Sequence, residues 1–157
     1  MDLILWRHAE AEDWLPGDTE AGIDLDRSLT QRGEKQAVRM AAWLDRQLPE
    51  GARIVVSPAR RCEQTAVALG RKYKIRPELA PDGSPAQLLE LVQWPAGKSP
   101  ILVIGHQPTL GQTIAQLLGL QESECAVKKG AVWWLRNRDR NGQSQTVIVT
   151  VQTPEAM

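Results

Sequence analysis

The chain has 157 residues, and its 19 lysines and arginines balance its 19 aspartates and glutamates, so the formal net charge at pH 7 is zero. This length suits a single domain, residues 1–157, with a core that needs no disulfide or metal. The balanced charge excludes a global attraction to nucleic acid or to anionic membranes. No segment is long enough to span a bilayer, and the apolar run at the amino terminus is too short for a signal peptide, so we expect a cytoplasmic protein.

Short apolar runs rich in isoleucine, valine and leucine predict three buried parallel strands, at residues 2–6, 53–56 and 100–104. Helical spacing of apolar residues separates these runs. Thr30 is predicted to cap a first helix that ends before Pro49. A second helix is predicted to begin near Ala59 and to continue past Leu69 toward Tyr73. The order of elements is therefore β-α-β-α up to this point.

The second half of the chain continues the alternation and then changes character. A short helix that stops at Pro95 precedes the third strand, and a further helix begins near Pro108 and ends at Gly119. Beyond it, β-rich runs at 131–135 and 146–151 flank residues 137–142, which end in the hairpin signal Asn-Gly. We therefore predict a three-layer α/β fold with an open, mostly parallel sheet, helices on both faces and a C-terminal antiparallel hairpin near one edge.

The two histidines of the chain both follow predicted strands, His8 after the first and His106 after the third. Ligands of parallel sheets bind at the carboxyl ends of the strands, so these side chains are expected to converge on one site. Arg7 precedes His8, and Arg60 and Arg61 follow the run 53–56. Guanidinium groups suit phosphate oxygens, and imidazole acts as a nucleophile or acid near neutral pH. The pattern predicts phosphoryl transfer.

Other phosphate and metal sites fit the sequence less well. Neither Cys62 nor Cys125 is followed six residues later by the arginine of a cysteine phosphatase, and they form no C-x-x-C pair, so we expect reduced thiols and no structural zinc. No segment has the spacing and lysine of a nucleotide-binding P-loop. Asp24 and Asp26 have no second acidic cluster or histidine beside them in the sequence, and we interpret them as loop or cap carboxylates.

Four segments, in this order, resemble the histidine phosphatase superfamily, whose fold is phosphoglycerate-mutase-like: LWRHAE at 5–10, LTQRGEKQA at 29–37, SPARRCEQTA at 57–66 and VIGH at 103–106. The short length and the segments RHAEA and GHQP are most similar to the SixA branch of phosphohistidine phosphatases. The resemblance implies that His8 is the phosphate acceptor, that Arg7 and Arg61 clamp the phosphoryl group and that His106 is the second histidine. Ala9 stands where the family has glycine. Arg60 is interpreted as a solvated charge.

The resemblance also implies a mechanism. His8 attacks phosphorus in line to form a phosphohistidine, which water then hydrolyses. We expect a backbone carbonyl to fix the tautomer of His8, and we expect Arg7, Arg61 and a protonated His106 to stabilise the equatorial oxygens. The backbone amide of Gln107, at the start of a helix, is expected to add a donor. No metal or other cofactor is expected.

The leaving group separates the substrate classes. Alkoxide departure from a sugar phosphate benefits from a general acid, whereas imidazole departure from phosphohistidine needs less help. Glu90 is the carboxyl in the right region, but its setting LLELV indicates a polar helix position. Lys128 and Lys129 either line the site or are surface lysines.

We therefore favour a phosphatase acting on a histidine-phosphorylated protein of a phosphorelay or phosphotransferase system. The alternatives are a small-molecule phosphomonoesterase that uses the same His8 and a non-catalytic phosphate-binding module. We expect phosphate or another oxyanion in the site, a monomer, and no nucleic-acid or membrane partner.

Overall fold

The computed structural model describes residues 1–13 and 24–156. Its strands are β1 (Asp2–Arg7), β2 (Arg53–Val56), β3 (Lys74–Ile75), β4 (Ile101–Gly105), β5 (Val132–Arg140) and β6 (Gln143–Gln152). Its helices are α1 (Gln31–Gln47), α2 (Arg60–Val67), α3 (Pro85–Val92) and α4 (Thr109–Leu118). No helix within the described ranges is long and apolar enough to cross a membrane.

The strands form one six-stranded sheet in the order β3-β2-β4-β1-β5-β6. The first four strands along the chain run parallel to one another, and β5 pairs antiparallel with both β1 and β6. The predicted α/β architecture is confirmed, including the antiparallel hairpin at one edge. The parallel strands β2, β4 and β1 lie inside the sheet with both faces covered, and for this reason their sequences read as continuous apolar runs, whereas the short β3 lies exposed at the edge.

Alternate residues of β1 point into two separate cores. Ile4 and Trp6 pack with residues of α1 and α2, such as Met40 and Cys62, on one face of the sheet. Leu3 and Leu5 pack on the other face, with residues of α3 and α4 that include Leu88 and Ile114. The chain therefore has the three layers that its alternating pattern predicts.

The helix boundaries follow local capping signals. The Thr30 side chain accepts a hydrogen bond from the backbone N–H of Gly33, and α4 ends at Gly119, whose φ of +65° suits glycine. The predicted length of the second helix is wrong, because α2 ends at Val67. Gly70, with φ +72°, then reverses the chain toward β3.

The terminal hairpin is longer than predicted. Its turn consists of Asn141 and Gly142 alone, both with positive φ (53° and 80°), as a two-residue turn of type I′ requires. Residues 137–140 therefore belong to β5 and do not form part of a loop. The ladder continues to the pair Arg140 and Gln143, with one irregularity between Trp134 and Leu135.

Candidate active site

The structure brings the two imidazoles together at the carboxyl end of the sheet. β1 and β4 are parallel neighbours that pair Arg7 with Gly105, so the residues that follow both strands lie side by side. The backbone N–H of His8 donates to the Gly105 carbonyl at 3.1 Å. The ring centroids of His8 and His106 are 5.3 Å apart, with the planes inclined by 56°, and both rings are buried.

His8 is held in one tautomer by a backbone carbonyl. Its Nδ1 lies 2.8 Å from the Ala9 oxygen, and because a carbonyl only accepts, Nδ1 must carry the proton and donate. Burial, together with the nearby charges of Arg61 and Arg7, holds the pKa of His8 well below its usual range. The ring is therefore neutral at pH 7, and Nε2 has a free electron pair.

Ala9 fits the position at which the resembling family has glycine. It is fully buried in a small cluster with Ala11, Leu29 and Ala37, and its φ is not among the positive ones. Its backbone N–H donates to the Thr65 hydroxyl at 3.2 Å. The methyl group therefore contributes to packing and does not strain the loop.

Arg7 and Arg61 approach the histidines from two different elements. Nη1 of Arg7 donates to the Val127 carbonyl at 2.8 Å. Nη1 of Arg61 donates to the Asp24 carbonyl at 2.7 Å, and its Nη2 donates to a carboxylate oxygen of Asp24 at 3.2 Å and to Nδ1 of His106 at 3.3 Å.

One buried nitrogen of each guanidinium remains unpaired. Nε of Arg7 and Nε of Arg61 are the two buried side-chain donors without a hydrogen-bond partner among residues 1–13 and 24–156. Buried polar groups are almost always paired, and an unpaired one costs about 1–3 kcal/mol. Two unpaired cationic donors beside two neutral imidazoles suit a bound oxyanion, which accepts from both.

His106 is neutral as well in the protein without a ligand, whereas the protonated ring expected from the sequence belongs to the complex with a phosphoryl group. Burial and the positive charges of Arg61 and Arg7 lower the pKa of His106 to about 3. A guanidinium only donates, so the contact with Arg61 makes Nδ1 of His106 an acceptor. The ring proton is then on Nε2, which lies 2.7 Å from the Ser57 hydroxyl.

Asp24 is a site residue that the sequence analysis missed. Its Oδ1 accepts from Nε of Arg27 at 3.0 Å, and its Oδ2 accepts from Arg61 at 3.2 Å. In the sequence Asp24 is 37 residues from Arg61, and no local pattern signals the pairing. Asp24 thus anchors the arginine, and this goes beyond the loop or cap carboxylate that we interpreted it to be.

The two adjacent arginines at the start of α2 have different surroundings. The Arg61 side chain is 3% exposed and lies against His106, whereas the Arg60 side chain is 56% exposed and reaches Asp26 at 3.9 Å. The structure therefore places Arg60 outside the cluster, as a solvated charge.

Gln107 lies at the start of α4, beside His106. Its side chain joins two segments, because Oε1 accepts from the Gly111 N–H at 2.6 Å and Nε2 donates to the Cys125 carbonyl at 2.8 Å. Within the described residues its backbone N–H has no protein acceptor. That amide remains the predicted additional donor to an anion.

The remaining candidates lie at the surface. Glu90 is exposed on α3, at the polar position that its sequence setting indicates. Lys128 and Lys129 are exposed on the loop between Val127, which binds Arg7, and Gly130, whose N–H donates to the His8 carbonyl at 3.0 Å. The lysines therefore lie on a segment that flanks the site, with their side chains in solvent.

Comparison with known proteins shows the family of this chain. The profile of the histidine phosphatase superfamily (branch 1) matches residues 3–82. The phosphohistidine phosphatase SixA of Escherichia coli is 32% identical over 125 residues, which cover 74% of each chain. The SixA homolog of Haemophilus influenzae is 31% identical over 135 residues, or 76% of this chain and 78% of the relative.

A solved structure of the protein histidine phosphatase SixA in complex with tungstate superposes with a TM-score of 0.80. It is 26% identical in sequence, and the match covers 99% of both chains. The profile covers half of this chain, the curated relatives exceed 30% identity, and the fold matches over its whole length. The chain therefore belongs to branch 1 of the histidine phosphatase superfamily and, within it, to the SixA group of phosphatases.

Proposed function

We propose that this protein is a phosphohistidine phosphatase that dephosphorylates a histidine-phosphorylated signalling or phosphotransfer protein through a covalent intermediate on His8. The proposal rests on one observation. A neutral imidazole with a free Nε2 lies beside two buried guanidiniums, of Arg7 and Arg61, each with an unpaired Nε–H. This set combines a nucleophile for phosphorus with donors for its oxygens.

The reaction has two steps. In the first, Nε2 of His8 forms a bond to phosphorus while the bond from phosphorus to the substrate imidazole breaks, and the departing nitrogen takes a proton from solvent. In the second, water attacks the phosphohistidine, which releases phosphate and restores His8. The Nε–H groups of Arg7 and Arg61 and the amide of Gln107 stabilise the charge on the equatorial oxygens.

The surroundings of Asp24 and Glu90 favour a phosphohistidine substrate over a phosphate ester. Both oxygens of Asp24 accept hydrogen bonds from guanidiniums, so this carboxylate acts as an acceptor and not as a proton donor. Glu90 is exposed on α3. An alkoxide leaving group benefits from a general acid, whereas imidazole leaves without one.

The relatives support the same substrate class. The two curated relatives are named as a phosphohistidine phosphatase and its homolog, and the superposed structure is of a protein histidine phosphatase. That structure contains tungstate, an oxyanion with the shape of phosphate. We propose a component of a phosphorelay or phosphotransferase system as the substrate. We also propose that the chain acts as a monomeric single domain in the cytoplasm.

The direct test compares two substrates at matched concentration: a histidine-phosphorylated phosphotransfer protein and a set of sugar phosphates. We expect phosphate release from the phosphoprotein to be strongly preferred and to be abolished by the substitution His8→Ala. Arg60→Ala is the matched control, since it removes a nearby but solvated cation. Preference for the sugar phosphates would identify a small-molecule phosphomonoesterase instead, and release that is independent of His8 would exclude the proposed nucleophile.

A further inference from the structure

Ser57 is a buried residue to which the reaction as described assigns no role. It follows β2 and has no solvent exposure. Its hydroxyl oxygen lies 2.7 Å from Nε2 of His106, a residue 49 positions further along the chain. The same oxygen accepts the backbone N–H of Ala59 at 3.2 Å, just before α2 begins. Ser57 is therefore fixed both to the start of α2 and to His106.

The direction of the bond between Ser57 and His106 follows from the other nitrogen of the ring. Arg61 donates to Nδ1 at 3.3 Å and has no acceptor to offer, so Nδ1 is unprotonated and Nε2 carries the ring proton. Nε2–H therefore donates to the Ser57 oxygen. With Ala59 as the second donor, both lone pairs of that hydroxyl are used.

The Cys62 thiol lies close to this pair, with its sulfur 3.5 Å from Nε2 of His106. Burial raises the pKa of that thiol to about 12, so it remains protonated, and its sulfur lies 3.8 Å from the Gly105 carbonyl, to which it donates. The hydrogen bonds thus run from Arg61 through His106 to Ser57, and the Cys62 thiol donates separately to Gly105.

Several charged or titratable groups surround His106, from three parts of the chain: Arg7 and His8 after β1, Asp24 and Arg27 before α1, and Arg61 and Cys62 in α2. The guanidiniums disfavour a positive imidazole as long as the site is empty. A bound dianion reverses this balance, because it attracts the guanidiniums and stabilises a positive ring beside them.

We propose that Ser57 is a positioning residue that accepts the Nε2–H of His106 and thereby leaves Nδ1, on the Arg61 side, to take up a proton when an oxyanion binds. The proton comes from solvent, one per bound oxyanion. No covalent bond other than the new N–H bond forms or breaks, and Nη2 of Arg61 gives up its hydrogen bond to Nδ1 and donates to the anion instead. His106 then donates from Nδ1 to the anion and from Nε2 to Ser57. The inference rests on the proposed function only in that the oxyanion is taken to be the phosphoryl group.

The chain has only two histidines, so nitrogen-resolved NMR of the imidazoles tests this directly. In the wild-type protein without ligand, we expect Nδ1 of His106 to be unprotonated and Nε2 to be protonated. On saturation with inorganic phosphate near pH 7, both nitrogens should be protonated, and titration calorimetry in buffers of different ionisation enthalpy should show uptake of about one proton. A ring that stays neutral in the phosphate-saturated protein would overturn the inference without any variant.

The variant Ser57→Ala removes the acceptor of Nε2–H. In the phosphate complex of this variant, we expect His106 to lose its proton at a pH about one unit lower than in the wild type. Above the pH of that deprotonation, phosphate should bind about tenfold more weakly than to the wild type. Ser57→Thr keeps the hydroxyl and should restore most of both values. The matched control is Thr113→Ala, which deletes another fully buried hydroxyl, one that donates to the Thr109 carbonyl at 2.8 Å.

Thr113→Ala should leave the titration of His106 unchanged. A wild-type titration in Ser57→Ala, or an equal shift in both alanine variants, would show that Ser57 only fills space. These measurements require only that the protein binds phosphate, and they do not depend on catalytic turnover. Protein that binds phosphate but does not hydrolyse phosphohistidine would therefore refute the proposed function and leave this inference standing.

Discussion

His8 and His106 have ring centroids 5.3 Å apart and carry their protons on opposite ring nitrogens. Nδ1–H of His8 donates to the Ala9 carbonyl, whereas Nδ1 of His106 accepts from Arg61. A carbonyl only accepts and a guanidinium only donates, so each partner dictates one tautomer. The two imidazoles are therefore not interchangeable, and loss of one should differ in kind from loss of the other.

The first prediction concerns the nucleophile. His8→Ala should lower phosphate release by more than about a thousandfold and abolish acid-labile labelling of the protein by a radiolabelled phosphoryl donor. His106→Ala should reduce the rate but retain some labelling, because Nε2 of His8 is still present. Labelling at full stoichiometry in the His8 variant would move the acceptor to another residue.

The second prediction compares two adjacent arginines. Arg61→Ala should lower kcat/KM by about a hundredfold or more, since it removes a buried donor beside the reacting phosphoryl group. Arg60→Ala should change kcat/KM by less than about twofold, because an exposed ion pair contributes little. Steady-state kinetics with the same phosphoprotein substrate tests both, and similar losses would mean that the clamp is misassigned.

The third prediction uses a pair of aspartates. Asp24→Asn keeps the shape of the side chain but removes the charge that holds Arg61 and Arg27, and we expect kcat/KM to fall about tenfold because charge-assisted hydrogen bonds are lost. Asp26→Asn alters only an exposed contact of 3.9 Å with Arg60 and should have no measurable effect. Unchanged kinetics in Asp24→Asn would show that Arg61 is oriented without it.

The fourth prediction concerns pH and stability. The pKa of His106 is lowered from 6.5 to about 3, so below pH 6.5 the unfolded chain binds a proton that the folded protein does not. The free energy of unfolding should therefore be highest above pH 6.5. As the pH decreases from 6.5 to near 3, this residue should lower the free energy of unfolding by about 1.4 kcal/mol per pH unit.

Denaturant unfolding at several pH values between 7 and 4.5 checks this expectation. His106→Gln, which cannot titrate, should show a smaller slope over the same range, with His8 accounting for part of what remains because its pKa is also lowered. Equal slopes in the wild type and His106→Gln would mean that His106 is not buried as a neutral ring.

The local sequence was sufficient for most of the fold. Apolar runs predicted the buried strands, Thr30 predicted the start of α1, Gly119 the end of α4, and Asn141 with Gly142 the hairpin turn, since each depends on residues that are close in sequence. The end of α2 and the length of β5 were predicted incorrectly. Both have local signals that the apolar spacing does not report: Gly70, with positive φ, lies just after α2, and the two-residue turn at Asn141 and Gly142 leaves residues 137–140 to β5.

The candidate site, like the fold, was predictable from the sequence only in part. The order of the residues was enough to place His8, His106, Arg7 and Arg61 at strand ends of one parallel sheet, because chain order and strand direction bring those ends to one edge. Three features required the folded protein: the neutral state of His106, the nitrogen that carries the proton in each imidazole, and the contacts of Asp24 with Arg61 and of Ser57 with His106. Protonation and pairing depend on burial and on donors and acceptors far apart in the chain, and these exist only once the chain is folded.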